Sequence, residues 1–253
     1  MVIMFTDTHC HIYNEYYDNN IEQVYEKMKL ANVDRIINNG CDSDSNKEVL
    51  ELLGIYSWMY GAIGIHPESA DSYTDEDLRF IEEYINDERV VAIGEIGLDY
   101  YWTKDNKDKQ KELFEYQLKL AESVNKPVII HSREATQDTI EILKKYNVRG
   151  VIHSFSGSYE TACIYIKMGF LLGINGVITF KNCNLKDVVS KLDLKDIILE
   201  TDSPYLTPVP YRGKRNDSSH VYDIAKYICE IKGCSMEELS KETNGNINRC
   251  FDI

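Results

Sequence analysis

Apolar positions along the chain switch repeatedly between a period of two and one of about 3.6. The run Val2, Ile3, Met4, Phe5 leads into a first strand, and residues 21–31 then place Ile21, Val24, Met28 and Ala31 on one helical face with charges between them. Residues 34–40 follow as a short strand ending in a glycine turn, so the chain opens with a βαβ unit. The alternation continues with a helix at 47–53 and a strand at 58–65. A helix at 74–86, behind the Thr74 N-cap and an acidic first turn, precedes the near-continuous apolar strand 90–94. A long amphipathic helix at 107–124 precedes strand 127–131, helix 134–146, strand 150–153, helix 159–168, strand 170–174, helix 185–192 and strand 196–200. A closing helix at 221–231 is followed by a terminal one, where Ser235 and Glu238 have capping-box spacing.

Eight strands, each followed by a helix, imply a parallel sheet covered on its outer face. The chain has 253 residues and no Pro-, Ser- or Gly-rich linker, charge block or low-complexity tract. The expected fold is therefore α/β, a single-domain (β/α)8 TIM barrel over residues 1–253. Such a barrel carries its working residues just past the C-terminal ends of the strands. His9 and His11 end the first strand, His66 the third, His131 the fifth and His153 the sixth; only His220 falls elsewhere, at the start of a helix. Glu95 follows the fourth strand between Gly94 and Gly97, and Asp202 follows the eighth, sharing a face with Glu200 by the period of two. The same alternation aligns Asp7 with His9 and His11 one step deeper, where it is expected to orient a ligand through a hydrogen bond without touching metal.

A single His-x-His pair arises often by chance. Four imidazoles and two carboxylates at one barrel mouth exceed what one tetrahedral ion needs, and they suit two ions sharing a carboxylate. The reaction such a centre implies is hydrolysis by water. No Gly-x-Ser-x-Gly elbow, Walker loop or complete dinucleotide fingerprint competes with this reading.

Apolar content of 43% and charged content of 28% are those of an ordinary globular chain. The formal net charge of −14 argues against a broad phosphate-binding face, but leaves room for a nuclease that uses metal ions and a few local cations. Tyr211-Arg212-Gly213-Lys214-Arg215 is the one compact basic loop. Seven cysteines without a Cys-x-x-Cys pair predict free thiols. No apolar run approaches the roughly 20 residues of a membrane span, and the first residues lack a signal-peptide pattern, so the expected compartment is the cytosol. No membrane association and no obligate protein partner are evident.

Taken in order, several motifs make the chain resemble the TatD-type metal-dependent deoxyribonucleases, a branch of the amidohydrolase-like TIM barrels. They are Asp7-Thr8-His9-Cys10-His11, Gly64-Ile65-His66-Pro67, Gly94-Glu95-Ile96-Gly97-Leu98-Asp99-Tyr100, Val128-Ile129-Ile130-His131-Ser132-Arg133 and His153-Ser154-Phe155-Ser156-Gly157, then Ile178-Thr179-Phe180-Lys181-Asn182, Glu200-Thr201-Asp202-Ser203-Pro204-Tyr205-Leu206 and Arg212-Gly213-Lys214-Arg215-Asn216. The resemblance implies that His9, His11 and Asp202 bind one divalent ion, His131 and His153 a second, and that Glu95 bridges them. The ions would be Mg, Mn, Zn or Co. Asp202 and Glu95 are the implied catalytic carboxylates, with Asp202 taking the proton of the attacking water. His66 and Glu200 are implied on the substrate side, Glu200 alternatively behind a ligand. Arg133, Lys181, Arg212, Lys214 and Asn216 are implied as phosphate contacts. The implied substrate is DNA, cut at its phosphodiester bonds and often from an end. The loop Asp217-Ser218-Ser219-His220 departs from the family pattern of an acid and a proline, and Ser154 stands where cysteine is common.

Two other readings stand beside this one. A barrel hydrolase for a small ester, lactone or amide would use the same chemistry, although Glu95 occupies the place that a carboxylated lysine takes in many such barrels. A non-enzymatic protein that kept the motifs is disfavoured by the complete ligand set.

Overall fold

Eight strands form one parallel sheet in the order β1 to β8 in the computed structural model, which describes residues 3–102 and 104–253. Val2 of the expected approach run lies outside the described residues. The elements run β1 (Phe5–Cys10), α1 (Ile21–Leu30), β2 (Val33–Asn39), α2 (Ser43–Ile55), β3 (Met59–Ile63), α3 (Asp75–Tyr84), β4 (Val90–Asp99), α4 (Lys107–Val124) and β5 (Val128–Arg133). They continue α5 (Thr136–Leu143), β6 (Gly150–Ile152), α6 (Tyr159–Lys167), β7 (Phe170–Ile174), α7 (Leu185–Lys191), β8 (Ile197–Leu199), α8 (Val221–Lys232) and α9 (Met236–Phe251). The ends of β1 and β8 meet: Thr8 Oγ1 donates to Leu199 O at 2.9 Å, His11 N to Ser203 O at 2.7 Å and Asp202 N to His9 O at 2.9 Å. These bonds make the sheet a nearly closed (β/α)8 barrel in a single domain.

Local chemistry moves some boundaries. Helix α2 starts four residues before the expected 47, because Asp42 caps it in a reciprocal box with Ser45. Helix α5 is shorter than expected at both ends and has no side-chain cap. Strand β4 is twice its expected length and wholly buried, so Glu95 sits inside the strand and not after it. Gly97, at φ +145°, lets β4 run on beside β5, where a Cβ would stand 2.0 Å from His131 O.

Inside the barrel the strand period of two builds layers. Ile37, Ala62, Val91, Ala92, Ile129, Val151 and Ile198 form one buried cluster with Ile247, Cys250 and Phe251 of α9. Helix α9 seals the end where the strands begin, with Ser240 Oγ and Asn244 Nδ2 donating to Met4 O at 2.6 and 2.8 Å. Two residues beyond Ile37, Ile129, Val151 and Ile198 stand Asn39, His131, His153 and Glu200. The apolar floor therefore carries a polar layer at the mouth. A larger core fills the space between the strands and the outer helices.

Helix α4 contributes two buried amides to this layer. Gln117 accepts from Ile65 N at 2.8 Å and donates to Ile65 O at 3.0 Å, and Gln110 does the same with Asp99 N and O, both at 2.9 Å. They pin the backbone beside His66 and at the end of β4, so the mouth is held from outside as well as within. Among the described residues no helix is long and apolar enough to cross a membrane, and the seven cysteines are free thiols.

Candidate metal centre

The polar layer converges on Glu95, a carboxylate 4% exposed. Its Oε2 lies 3.4 Å from His9 Nε2 and 3.6 Å from His11 Nε2, while its Oε1 lies 2.8 Å from His131 Nδ1 and 3.7 Å from His153 Nε2. Asp202 Oδ1 stands 3.6 Å from His11 Nε2 and 3.7 Å from both His9 Nε2 and His153 Nε2. Asp202 reaches this position from a left-handed backbone, φ 57°, that its N–H bond to His9 O holds in place.

Ring tautomers follow from what lies behind each imidazole. His11 Nδ1 faces Asn39 O at 2.9 Å, and a carbonyl only accepts, so Nδ1 carries hydrogen and the Nε2 lone pair points inward. His131 Nε2 faces Asp99 Oδ2 at 3.0 Å, so in the neutral ring Nε2 keeps the hydrogen and the lone pair freed for a cation is that of Nδ1, beside Glu95. His153 Nδ1 lies 3.0 Å from Glu200 Oε1, near enough to pair electrostatically though not aligned as a hydrogen bond. His66 is the opposite case. Its Nδ1 accepts from Glu68 N at 3.3 Å, so in the neutral ring Nε2 carries the hydrogen and presents a donor to Glu95 Oε1 at 3.7 Å.

A cation fits this donor set. His9 Nε2 and His11 Nε2 stand 3.2 Å apart with two carboxylate oxygens beside them, and the buried Nδ1 of His9 has no partner. Ligand atoms about 2.1 Å from a shared tetrahedral ion lie roughly 3.4 Å from one another, and the separations around His9 and His11 bracket that value. The electrostatics agree. Burial opposes charge on Glu95 and Asp202, yet the surrounding imidazoles overcome it and hold both carboxyls below their ordinary values. Burial likewise opposes protonation of His131 and His153, and their carboxylate neighbours reverse it, carrying both up to about 9. The pocket attracts positive charge. His66, by contrast, is brought down to about 3 by burial and by His131, and is a neutral donor.

The expected residues divide into three groups. His9, His11 and Asp202 come together as one three-donor group, and His153 joins His9 and Glu95 in another; His131 groups with Glu95 and His66, so His131 and His153 meet through Glu95 and not in a group of their own. Asp7 touches no ligand ring. It is fully buried, accepts from Thr201 N at 2.9 Å, Thr201 Oγ1 at 2.6 Å and His9 N at 3.3 Å, and so fixes the backbone on both sides of the site. Two residues implied on the substrate side lie inside the fold, Glu200 in its alternative place behind a ligand. Glu200 is fully buried behind His153 and accepts from Ser154 N at 2.7 Å, in a space that Gly173 leaves open, since a Cβ there would stand 2.1 Å from Glu200 Oε2. Asn216 is also fully buried, its amide donating to Thr201 O at 3.1 Å and Tyr205 O at 2.6 Å, so it staples the β8 loop and is closed to substrate. Ser154 Oγ turns away to accept from Asn175 Nδ2 at 2.8 Å.

The cations lie on the rim. Arg133 stacks over Tyr101 at 4.0 Å and Arg212 over Phe180 at 4.0 Å, while Lys181 and Lys214 are exposed and make no ion pair among the described residues. Arg215 of the basic loop is tied to Asp18 at 2.8 Å and to Tyr16 O. Sequence reasoning missed two residues. Asp99, which backs His131, shares the inner face of β4 with Glu95 by the period of two, and Cys41, whose Sγ lies 3.7 Å from Glu95 Oε2, follows Ile37 and Asn39 by the same rule.

A barrel whose mouth gathers imidazoles and carboxylates around one buried carboxylate defines a metal-dependent hydrolase. The family described as TatD related DNase matches residues 6–252, and the chain belongs to that family. It is 44% identical over 254 residues to the uncharacterized metal-dependent hydrolase YabD of Bacillus subtilis (strain 168), covering 99% of this chain and 100% of that one. It is 36% identical over 259 residues to the uncharacterized metal-dependent hydrolase YcfH of Escherichia coli (strain K12), covering 99% and 97%. Among solved structures it matches the TatD homologue YjjV of Escherichia coli K12 with a TM-score of 0.95 at 29% identity, over the full length of both chains.

Proposed function

We propose that the protein is a deoxyribonuclease that hydrolyses DNA phosphodiester bonds, working inward from an end, with two divalent ions bridged by Glu95. The observation that carries this reading is the division of the Glu95 carboxylate, Oε2 toward His9 and His11 and Oε1 toward His131 and His153. His9, His11 and Asp202 would hold one ion, and His131 and His153 the other. Bound there, divalent ions polarise a phosphoryl oxygen and bring the pKa of water toward neutrality.

The protein's own groups do the rest. Asp202, held ionised below its ordinary value, is placed to accept the proton of the attacking water. His66 offers its Nε2–H to a phosphate oxygen, and its low affinity for a proton keeps it a neutral donor through the cycle. Arg133 and Arg212 stand on the rim with guanidinium groups free of ion pairs among the described residues, suited to phosphates further along the strand. Lys181 and Lys214, both exposed on loops that follow β7 and β8, would add positive charge on the same side.

The experiment is product analysis with 5′- and 3′-end-labelled oligonucleotides on the metal-loaded protein. Mononucleotides appearing from one end, lost in Asp202→Ala and Glu95→Ala, support the reading. Intact DNA alongside hydrolysis of a small ester or lactone would contradict it.

A further inference from the structure

Among the described residues five aromatic side chains are exposed, and four of them, Tyr101, Trp102, Tyr205 and Tyr211, lie on loops that follow barrel strands at the mouth. Trp102 is 62% exposed and Tyr101 45%, an unusual placement for rings whose burial would stabilise the fold. The two rings stand edge to face at 4.9 Å and 85°. The Arg133 guanidinium covers Tyr101 at 4.0 Å and approaches Trp102 at 5.4 Å.

This cluster is fastened to the metal centre by one carboxylate. Asp99 Oδ1 accepts from Tyr101 N at 2.8 Å and Trp102 N at 2.9 Å, while Asp99 Oδ2 faces His131 Nε2 at 3.0 Å. On the other side Tyr100 N donates to Arg133 O at 2.9 Å, joining the loop to the end of β5. A ligand engaged by the rings is thereby held in fixed relation to His131. A net charge of −14 disfavours an enzyme that grips its substrate mainly by neutralising phosphates. Stacking needs no net charge, because every base has a π-face, and an arginine beside the rings adds a cation for the backbone.

We propose that Trp102 and Tyr101, with Arg133 beside them, form a base-stacking platform that takes an unpaired base of the nucleic-acid strand held at the metal centre. The inference rests on the nuclease reading and goes beyond it: the substrate end is single-stranded, and its bases, as well as its phosphates, set affinity. Arg212 over Phe180 makes a second ring-and-guanidinium pair further round the same rim.

Trp102 is its own reporter, since the other tryptophan, Trp58, is buried in a stack with Tyr25 at 4.6 Å. Metal-loaded protein is titrated with a single-stranded phosphorothioate oligonucleotide that resists cleavage, and with the same oligonucleotide carrying abasic sites at its end. The expected result is quenching of Trp102 fluorescence by the first and, by anisotropy of the same oligonucleotides carrying a fluorophore at the far end, binding roughly tenfold weaker for the abasic strand and for Trp102→Ala, with Trp102→Phe near wild type. Cleavage by Trp102→Ala should show a raised KM and little change in kcat. DNA cleavage with equal affinity for intact and abasic strands, or with Trp102→Ala indistinguishable from wild type, overturns the platform and leaves the nuclease reading standing. No binding or cleavage of any DNA overturns both.

Discussion

Replacing Asp99 by asparagine changes one atom and should disable one metal ligand. In the wild type Asp99 Oδ1 takes the N–H groups of Tyr101 and Trp102, and Oδ2 faces His131 Nε2 at 3.0 Å. The two backbone donors fix the orientation of an amide: its oxygen must stay with them, so its NH2 turns to His131. His131 Nε2 then has to accept, so the neutral ring keeps its hydrogen on Nδ1, 2.8 Å from Glu95, and the lone pair that would take a metal there is lost. Loss of a carboxylate behind a metal-binding imidazole costs about 10- to 100-fold in metal affinity, or roughly 1.4–2.7 kcal/mol. The assay is calorimetric titration of chelator-stripped protein with Zn, comparing wild type, Asp99→Asn and Asp99→Ala. The near-isosteric asparagine should bind one ion more weakly than alanine does, because alanine leaves the tautomer free. Wild-type affinity in Asp99→Asn, or a weaker alanine variant, would refute the reasoning.

Other expectations concern the frame around the site. Gln117→Leu leaves the buried N–H and C=O of Ile65 without partners and should destabilise the fold by about 2–4 kcal/mol in denaturant unfolding. Asn216→Ala should lower stability by about 1–3 kcal/mol and open the β8 loop to limited proteolysis while leaving the metal content of the loaded protein unchanged. Hydrogen bonds from Lys111 and then Tyr100 hold the Asp138 carboxyl below its ordinary 3.8. That contribution is present above 3.8 and lost as pH falls through the lowered folded value. The small difference in unfolding free energy between wild type and Asp138→Asn, about 0.2–1 kcal/mol for a largely solvated pair, should therefore close on acidification, read by denaturant unfolding across pH.

The barrel was legible because its strands are short apolar runs between amphipathic helices, and the histidines at their ends pointed to the mouth. His9, His11, His131 and His153 needed only the period of two to face inward. What escaped was set by chemistry beyond the apolar pattern. Strand β4 appeared to stop at Gly94 because glycines and a glutamate break the run, yet hydrogen bonds to β5 and to Gln110 carry it through to Asp99. The role of Asp99 was hidden with it. Family motifs alone leave Glu200 between the substrate side and a place behind a ligand, and put Asn216 among the phosphate contacts. Whether such a group reaches solvent or turns inward depends on what backbone and imidazole partners the loop offers, and here both find them inside. Asp202 faces the centre only because its backbone takes a left-handed turn, a conformation no sequence period encodes.

The central claim, that this metal centre cuts DNA, is tested most directly by stripping the protein with chelator and restoring it with Mg, Mn, Zn or Co over end-labelled single- and double-stranded DNA. Cleavage should be absent after stripping and return with at least one metal in the wild type, but not in Glu95→Ala. Cleavage that survives stripping, fails with every metal, or proceeds equally in Glu95→Ala would contradict the account.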